Sequence, residues 1–222
     1  MDYYSITLNA IRKLLLKVGK DKYADVVSEC IEKWETEKDC DMFRREFDKN
    51  GRFADFRLDS SNISDPEKGL WTGQLFSALV AMSAQTAFLI GRGKDVDIND
   101  MRRTFGAANE IMYASRCSSC GALEATASDL DKYVSKIVIA RKVVDGLEAC
   151  SLDETVDSIT ELTAPEIQRE RRKAKTRLEN SRIPYTDAYG RAKSCLKCGS
   201  KNIAECKLLK SLNENIFIPL KS

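Results

Sequence analysis

Apolar positions recur at helical spacing from the first turn of the chain. Tyr4, Leu8, Ile11, Leu15 and Val18 share one face, with Asn9, Arg12, Lys13 and Lys17 opposite. This pattern predicts an amphipathic helix that Gly19 ends. After a short turn, Tyr23, Val27, Cys30 and Trp34 repeat the spacing, so two antiparallel helices are expected. Asp41 to Asn50 predicts a shorter helix with Phe43 and Phe47 inward and Gly51 as its cap. The alternating stretch Arg52 to Asp59 is expected to be a short extended piece or a loop anchored by its aromatics.

Ser64-Asp65-Pro66-Glu67 has the form of a capping box with proline in the first turn. It leads into Leu70 to Ile90, which holds no charge and is long enough to span a bilayer. Thr72, Gln74, Ser77, Ser83, Gln85 and Thr86 make it polar for a span, and its flanks lack aromatic belts and basic loops. A buried central helix, the hub of a bundle with no membrane contact, is therefore expected. A helix starting at Asp97 or Asn99 then places Met101, Phe105, Ala108 and Ile111 or Met112 inward and runs on to Arg116. Ser128 with Asp131 resembles the cap of a long helix bearing Leu130, Val134, Ile137, Val138, Val144 and Leu147. Ser151-Leu152-Asp153-Glu154 opens a short helix on Val156, Ile159 and Leu162.

The helix opened by Thr163-Ala164-Pro165-Glu166 differs in kind. Only Ile167, Ala174 and Leu178 form an apolar stripe, and Arg169, Arg171, Arg172, Lys173, Lys175, Arg177 and Arg182 cover the rest. So narrow a stripe predicts light docking. A loop with Tyr185 and Tyr189 follows. Ile203, Cys206 and Leu208, then Asn215 to Leu220, change to a strand period and predict a small hairpin turning at Asn213 to Asn215.

Between these elements lie two copies of one device, Cys117-Ser118-Ser119-Cys120-Gly121 and Cys195-Leu196-Lys197-Cys198-Gly199. Two cysteines three positions apart, closed by a glycine that takes positive φ, place both thiolates on one metal. Together Cys117, Cys120, Cys195 and Cys198 supply the four ligands of a closed, structural zinc site. Cys206 is a fifth candidate that would displace one of them. The second device and the hairpin after it resemble half of a zinc ribbon over Cys195 to Leu220, a likeness of local architecture alone. Cys30, Cys40 and Cys150 are isolated and expected to be buried small hydrophobes.

Composition narrows the chemistry. Of 222 residues, 43% are hydrophobic and 32% charged, which places the chain among soluble globular proteins. There is no histidine, so the usual general base and Ser-His or Cys-His nucleophiles are excluded, and zinc must be held by sulfur or carboxylate. Carboxylate pairs such as Glu29/Glu32, Asp95/Asp97 and Asp129/Asp131 fall on exposed faces or helix starts, where acids serve capping. Gly91-Arg92-Gly93 is too short for a phosphate loop. Met1-Asp2-Tyr3-Tyr4 lacks the marks of a secretory leader, so a reducing, cytoplasmic setting is expected.

Net charge is divided: residues 1–168 carry 22 Lys+Arg against 29 Asp+Glu, and residues 169–222 carry 14 against 5. Arg116, Lys193, Lys197 and Lys201 lie where they offset a four-thiolate zinc. Arg169, Arg171, Arg172, Lys173, Lys175, Arg177, Arg182 and Lys197 are the candidate phosphate contacts, flanked by Arg191, Lys207 and Lys210, with Tyr185 and Tyr189 placed to stack on unpaired bases.

The expectation is a mainly α protein. An acidic helical bundle over 1–162 would carry the first knuckle, and 163–222 would hold the basic helix, the second knuckle and the hairpin, in a zinc-ribbon-like element with four cysteine ligands, packed as one unit. The function expected is a non-enzymatic, intracellular binding protein contacting nucleic acid. The alternative is a protein-binding adaptor, inhibitor or immunity-type factor whose zinc and basic helix are structural. A hydrolase with converging carboxylates is a third reading. Oligomeric state is not encoded in any of these patterns.

Overall fold

The computed structural model describes residues 1–48, 50–54, 56, 58, 66–158, 164–211 and 214–220. Helix accounts for 58% of the chain, beside a small mixed five-stranded sheet. Its contacts divide it into two compact units, one of residues 1–106 with 139–162 and one of 107–138 with 163–222.

The first unit is built on α1 (Tyr3–Lys17), whose Tyr4, Leu8, Ala10, Ile11, Leu14 and Leu15 are buried. Asp2 caps it by accepting from the Ser5 amide at 3.0 Å. α2 (Asp21–Glu37) packs against α1 with Val27, Cys30 and Trp34 inward. α3 (Asp41–Glu46) stops short of the expected Asn50, with Phe47 as its C-cap. Phe53 and Phe56 are buried in the loop that follows and meet Tyr23, Phe47 and Phe76 in one aromatic cluster, with Phe47 and Phe53 stacked at 4.2 Å. The aromatics thus anchor a loop here; residues 55, 57 and 59 lie outside the described ones.

α4 (Pro66–Ile90) is apolar and long enough over Gly69–Ile90 to cross a bilayer on length and composition. The cap expected for it at Ser64 and Asp65 lies outside the described residues. Leu75, Leu79, Met82, Ser83 and Thr86 are buried, and the Ser83 hydroxyl donates to Thr7 Oγ1 at 2.7 Å. The hub is α1, however, which touches α2, α4 and α7 (Leu152–Ser158). α1 is apolar on enough of its circumference to serve three neighbours, whereas α4 exposes Ser77, Ala81, Ala84 and Phe88. α5 (Ile98–Asn109) presents Met101 and Phe105 inward, and Arg102 pairs with Asp145 and Glu148 of α6 (Ala127–Glu148). α7 buries Leu152, Thr155 and Val156, and its Asp157 receives Lys13 at 2.7 Å. Ile159 and Leu162, expected on the same helix, are outside the described residues. Cys30 and Cys40 are buried as expected, and burial pushes the Cys30 thiol up to about 12. Cys150 is exposed, contrary to expectation, in a left-handed turn with φ 57°.

In the second unit the chain leaves α5 at Asn109 and becomes a strand, β1 (Ile111–Cys117). The helix expected to run on to Arg116 is therefore two elements. Residues 107–138, grouped by sequence with the N-terminal bundle, pack here with 163–222. β2 (Leu123–Thr126), β3 (Tyr185–Thr186), β4 (Ile203–Lys210) and β5 (Phe217–Pro219) complete the sheet in the order β3-β2-β1-β4-β5. β2 and β3 are parallel and the other neighbours antiparallel. The expected hairpin is β4–β5, pairing Leu208 with Pro219 and Lys210 with Phe217; Asn213 of its turn is outside the described residues.

α6 is capped two residues earlier than expected. Thr126 and Asp129 form the box, with the Thr126 hydroxyl and amide donating to Asp129 Oδ2 at 2.8 and 3.1 Å. Asp131, freed from that duty, pairs instead with Arg171 of α8 (Ala164–Asn180). α8 buries the stripe expected, Ile167, Ala174 and Leu178, together with Glu170. Thr163, the first residue of its expected box, is outside the described residues.

Gly146 lies where α6 meets α7: a Cβ there would stand 2.3 Å from Thr155 Oγ1. Gly146→Ala is expected to destabilise by about 1–3 kcal/mol in urea melts. Gly73→Ala, in α4 with nothing within 4 Å of the added carbon, is expected to stabilise by about 0.5–1 kcal/mol.

Candidate metal centre

Strand pairing explains how two knuckles so far apart in sequence meet. β1 runs into the first knuckle at its C-terminal end, and β4 leaves the second at its N-terminal end. Their antiparallel register, Ile111 with Leu209 through to Cys117 with Ile203, sets both at one end of the sheet. The Ser118 amide extends the ladder by donating to the Asn202 carbonyl at 2.9 Å.

The knuckles repeat each other bond for bond. In the first, the Cys117 amide donates to the Ala122 carbonyl at 2.8 Å and the Gly121 amide to the Cys117 carbonyl at 2.9 Å; in the second, Cys195 and Ser200, then Gly199 and Cys195, do the same at 2.8 Å each. Gly121 and Gly199 both have φ +72°, a conformation that a Cβ disfavours. The Ser119 and Ser200 hydroxyls share a hydrogen bond of 2.8 Å across the pair.

All four sulfurs of Cys117, Cys120, Cys195 and Cys198 lie within 4.8 Å of one another. Cys117 Sγ is 3.6 Å from Cys198 Sγ, and Cys120 Sγ is 3.6 Å from Cys195 Sγ. Zinc–sulfur bonds near 2.3 Å in a tetrahedron require neighbouring sulfurs about 3.8 Å apart, so the cluster has the dimensions of a metal site. Cys117 and Cys195 are buried; Cys120 and Cys198 face solvent. Backbone amides of Cys120 and Ser119 hold the Cys117 thiol down to about 6. The Ser200 amide acts the same way on Cys198, but the neighbouring Cys120 and Cys117 sulfurs outweigh it and push that thiol up to about 12. Four sulfurs this close cannot all ionise by themselves, and a divalent cation is what lets them. Cys206 is not among them: it lies on β4 opposite Ala114, with its Sγ 3.7 Å from the Lys207 carbonyl.

No protein-family model, curated protein or solved structure matches this chain significantly. The arrangement of side chains therefore carries the functional reading.

The structure divides the basic residues into engaged and unengaged ones. Arg171 pairs with Asp131, Lys173 with Glu170 at 2.9 Å, Lys175 with Asp187 at 3.7 Å, and Arg177 Nε donates to Asn215 Oδ1 at 3.0 Å. Arg191 bridges buried Asp129 and Glu205, and Lys210 pairs with Glu110. Lys175 also lies over the Tyr185 ring at 4.4 Å, and Lys207 over Tyr113 at 5.9 Å. Tyr185 is half-buried on β3 opposite Ala125, and burial, then a hydrogen bond to Asp187, pushes its phenol up to about 12; Tyr189 is 75% exposed. Arg169, Arg172, Arg182, Lys193, Lys197 and Lys201 are exposed and have no carboxylate partner among the described residues.

Sequence reasoning missed the cleft beside the knuckles. A cavity of about 390 Å³ is lined by Ser115, Leu123, Glu124, Arg182, Ile183, Lys197 and Ile203 among others, with Cys117 and Cys195 in its wall. Arg182 follows α8 in the left-handed region at φ 56°, which costs an L-residue about 1 kcal/mol. Arginine just past a helix, where glycine is usual, was the available signal.

Metal titration is expected to saturate at one divalent ion per chain. Cys198→Ser should lower the affinity at least about a hundredfold, and Cys206→Ser should leave it unchanged, as read by competition with a chromophoric chelator. The proton on Cys198 must leave when the ion binds, so affinity is expected to rise with pH. Below about 6 Cys117 is protonated as well, and the metal-linked stability is lost as pH falls through that range.

Proposed function

We propose that this chain is a non-enzymatic, intracellular binding protein in which a structural zinc organises a ribbon-like element that contacts nucleic acid. Zinc is the ion favoured by four thiolates without an open coordination position in a chain without histidine. A full thiolate set supports a structural role, because no site is left for substrate or water. Thiolate ligands and free cysteines suit a reducing, cytoplasmic setting.

The observation that carries the nucleic-acid reading is the set of exposed cations without a carboxylate partner among the described residues: Arg169, Arg172, Arg182, Lys193, Lys197 and Lys201. They belong to α8, the residues just past it and the second knuckle, which lie in one unit. Phosphate contacts need exposed, unneutralised cations and give salt-dependent affinity. Exposed Tyr189 adds a surface on which an unpaired base can stack. Arg171, Lys175 and Arg177 tie α8 to the rest of its unit in this reading, Lys173 pairs within the helix, and none of the four contacts the ligand.

That same internal engagement favours a second reading, an adaptor or immunity-type factor in which the zinc and α8 are structural and the partner is a protein.

Fluorescence anisotropy with single- and double-stranded DNA and RNA at two salt concentrations separates the two. The expected result is binding that weakens steeply with salt, with a slope reduced by about one for each of Arg169→Gln, Arg172→Gln and Lys197→Gln. Absence of binding at low salt would favour the adaptor.

A further inference from the structure

The cleft beside the knuckles has a chemistry of its own. Its inner surface is apolar, with Ala122, Leu123, Ile183 and Ile203 in the lining. Ser115, only 6% exposed, is among the lining residues, and its buried hydroxyl oxygen has no hydrogen-bond partner among the described residues. A buried hydroxyl without a partner is costly unless something else satisfies it. The half-buried Glu124, opposite Ser115 on the neighbouring strand, has no ion-pair partner among the described residues. Arg182 and Lys197, both exposed and without a carboxylate partner among the described residues, also line the cleft. Arg182 is held there at positive φ, a strain that implies its position matters. A volume of about 390 Å³ falls within the roughly 300–1,000 Å³ of small-ligand sites.

A ligand that satisfies all of these must be flat or apolar in its body, present hydrogen-bond donors to a carboxylate, offer an acceptor to a hydroxyl, and carry an anion for two cations. We propose that the cleft binds one guanine nucleotide. Guanine presents two adjacent donors, N1–H and N2–H, to the Glu124 carboxylate, and its O6 accepts from the Ser115 hydroxyl. Adenine, cytosine and uracil do not offer two adjacent donors on that edge. The phosphate falls to Arg182 and Lys197, and the Arg182 guanidinium plane can also cover the base. The nucleotide comes from an unpaired position in a strand, and to that extent the assignment rests on the nucleic-acid reading above; a free mononucleotide has the same chemistry.

The test is an NMR titration of the metal-loaded full chain with guanosine monophosphate, adenosine monophosphate and inorganic phosphate, following the amides of residues 121–124 and 181–183. The expected result is a shift of those amides by guanosine monophosphate at least about tenfold more tightly than by adenosine monophosphate, and none by phosphate alone. Glu124→Gln should abolish the preference, and Arg182→Ala should weaken both nucleotides alike. Ser115→Ala should lower guanine affinity while leaving thermal stability unchanged or raised, because it removes a hydroxyl that has no partner. Variants are compared where metal content matches the parent and the melting temperature is no lower. Equal response to phosphate, or retained preference in Glu124→Gln, would overturn the assignment. An oligonucleotide that binds through the exposed cations without moving the cleft amides would overturn it too, leaving the nucleic-acid reading intact. Guanosine monophosphate bound in the cleft with no oligonucleotide affinity would support the cleft and overturn the strand as its source.

Discussion

The antiparallel ladder between β1 and β4 is the interaction on which the second unit depends. Backbone pairing from Ile111–Leu209 to Cys117–Ile203 fixes the register, and a slip of one residue would turn every side chain to the opposite face. Met112, Ala114, Cys206 and Leu208 are buried on one face, which makes such a slip costly in apolar burial. The cluster inherits its geometry from this register, since each knuckle is fastened to one end of a paired strand. β2, β3 and β5 then add to the ladder's edges.

Electrostatics follow from that placement. A metal held by the four thiolates would be a local negative charge, and exposed Arg116, Lys193, Lys197 and Lys201 stand close to the cysteine cluster in sequence. Other cations of the unit serve differently. Arg171 and Arg191 meet Asp131 and Asp129, both near the start of α6, where acids also favour the helix dipole. The basic helix is thus two populations on one element: charges that tie it to its own unit, and charges that face solvent.

How much of this was legible in the chain depends on whether local pattern or long-range pairing decides a segment. α1, α2 and the stripe of α8 follow from periodicity, because each buries one face and the spacing records it. The four cysteines follow from spacing and elimination, histidine being absent. β1 was not legible: Ile111 and Met112 continue the helical period of Met101 and Phe105, and only pairing with a strand about ninety residues later makes the segment extended. The cap of α6 was misplaced for a related reason. Ser128 with Asp131 and Thr126 with Asp129 are equally good boxes in sequence, and the end of β2 selects the second. The cleft was invisible because its walls come from four separated stretches.

The wide separation of the two knuckles also bears on how the molecule is made. Cys120 and Cys195 are joined by a stretch that includes all of 139–162, which belongs to the other unit. During synthesis the first pair of thiols leaves the ribosome long before its partners exist, and β1, paired locally with β2, must wait with its other edge open. Closing so long a loop carries an entropic cost that local contacts do not offset. The nascent chain therefore passes through a period with an open strand edge and half of its cysteine cluster, a state prone to aggregation. The other unit suffers a milder version of the same delay, since α7 joins α1 only after residues 107–138 have been made.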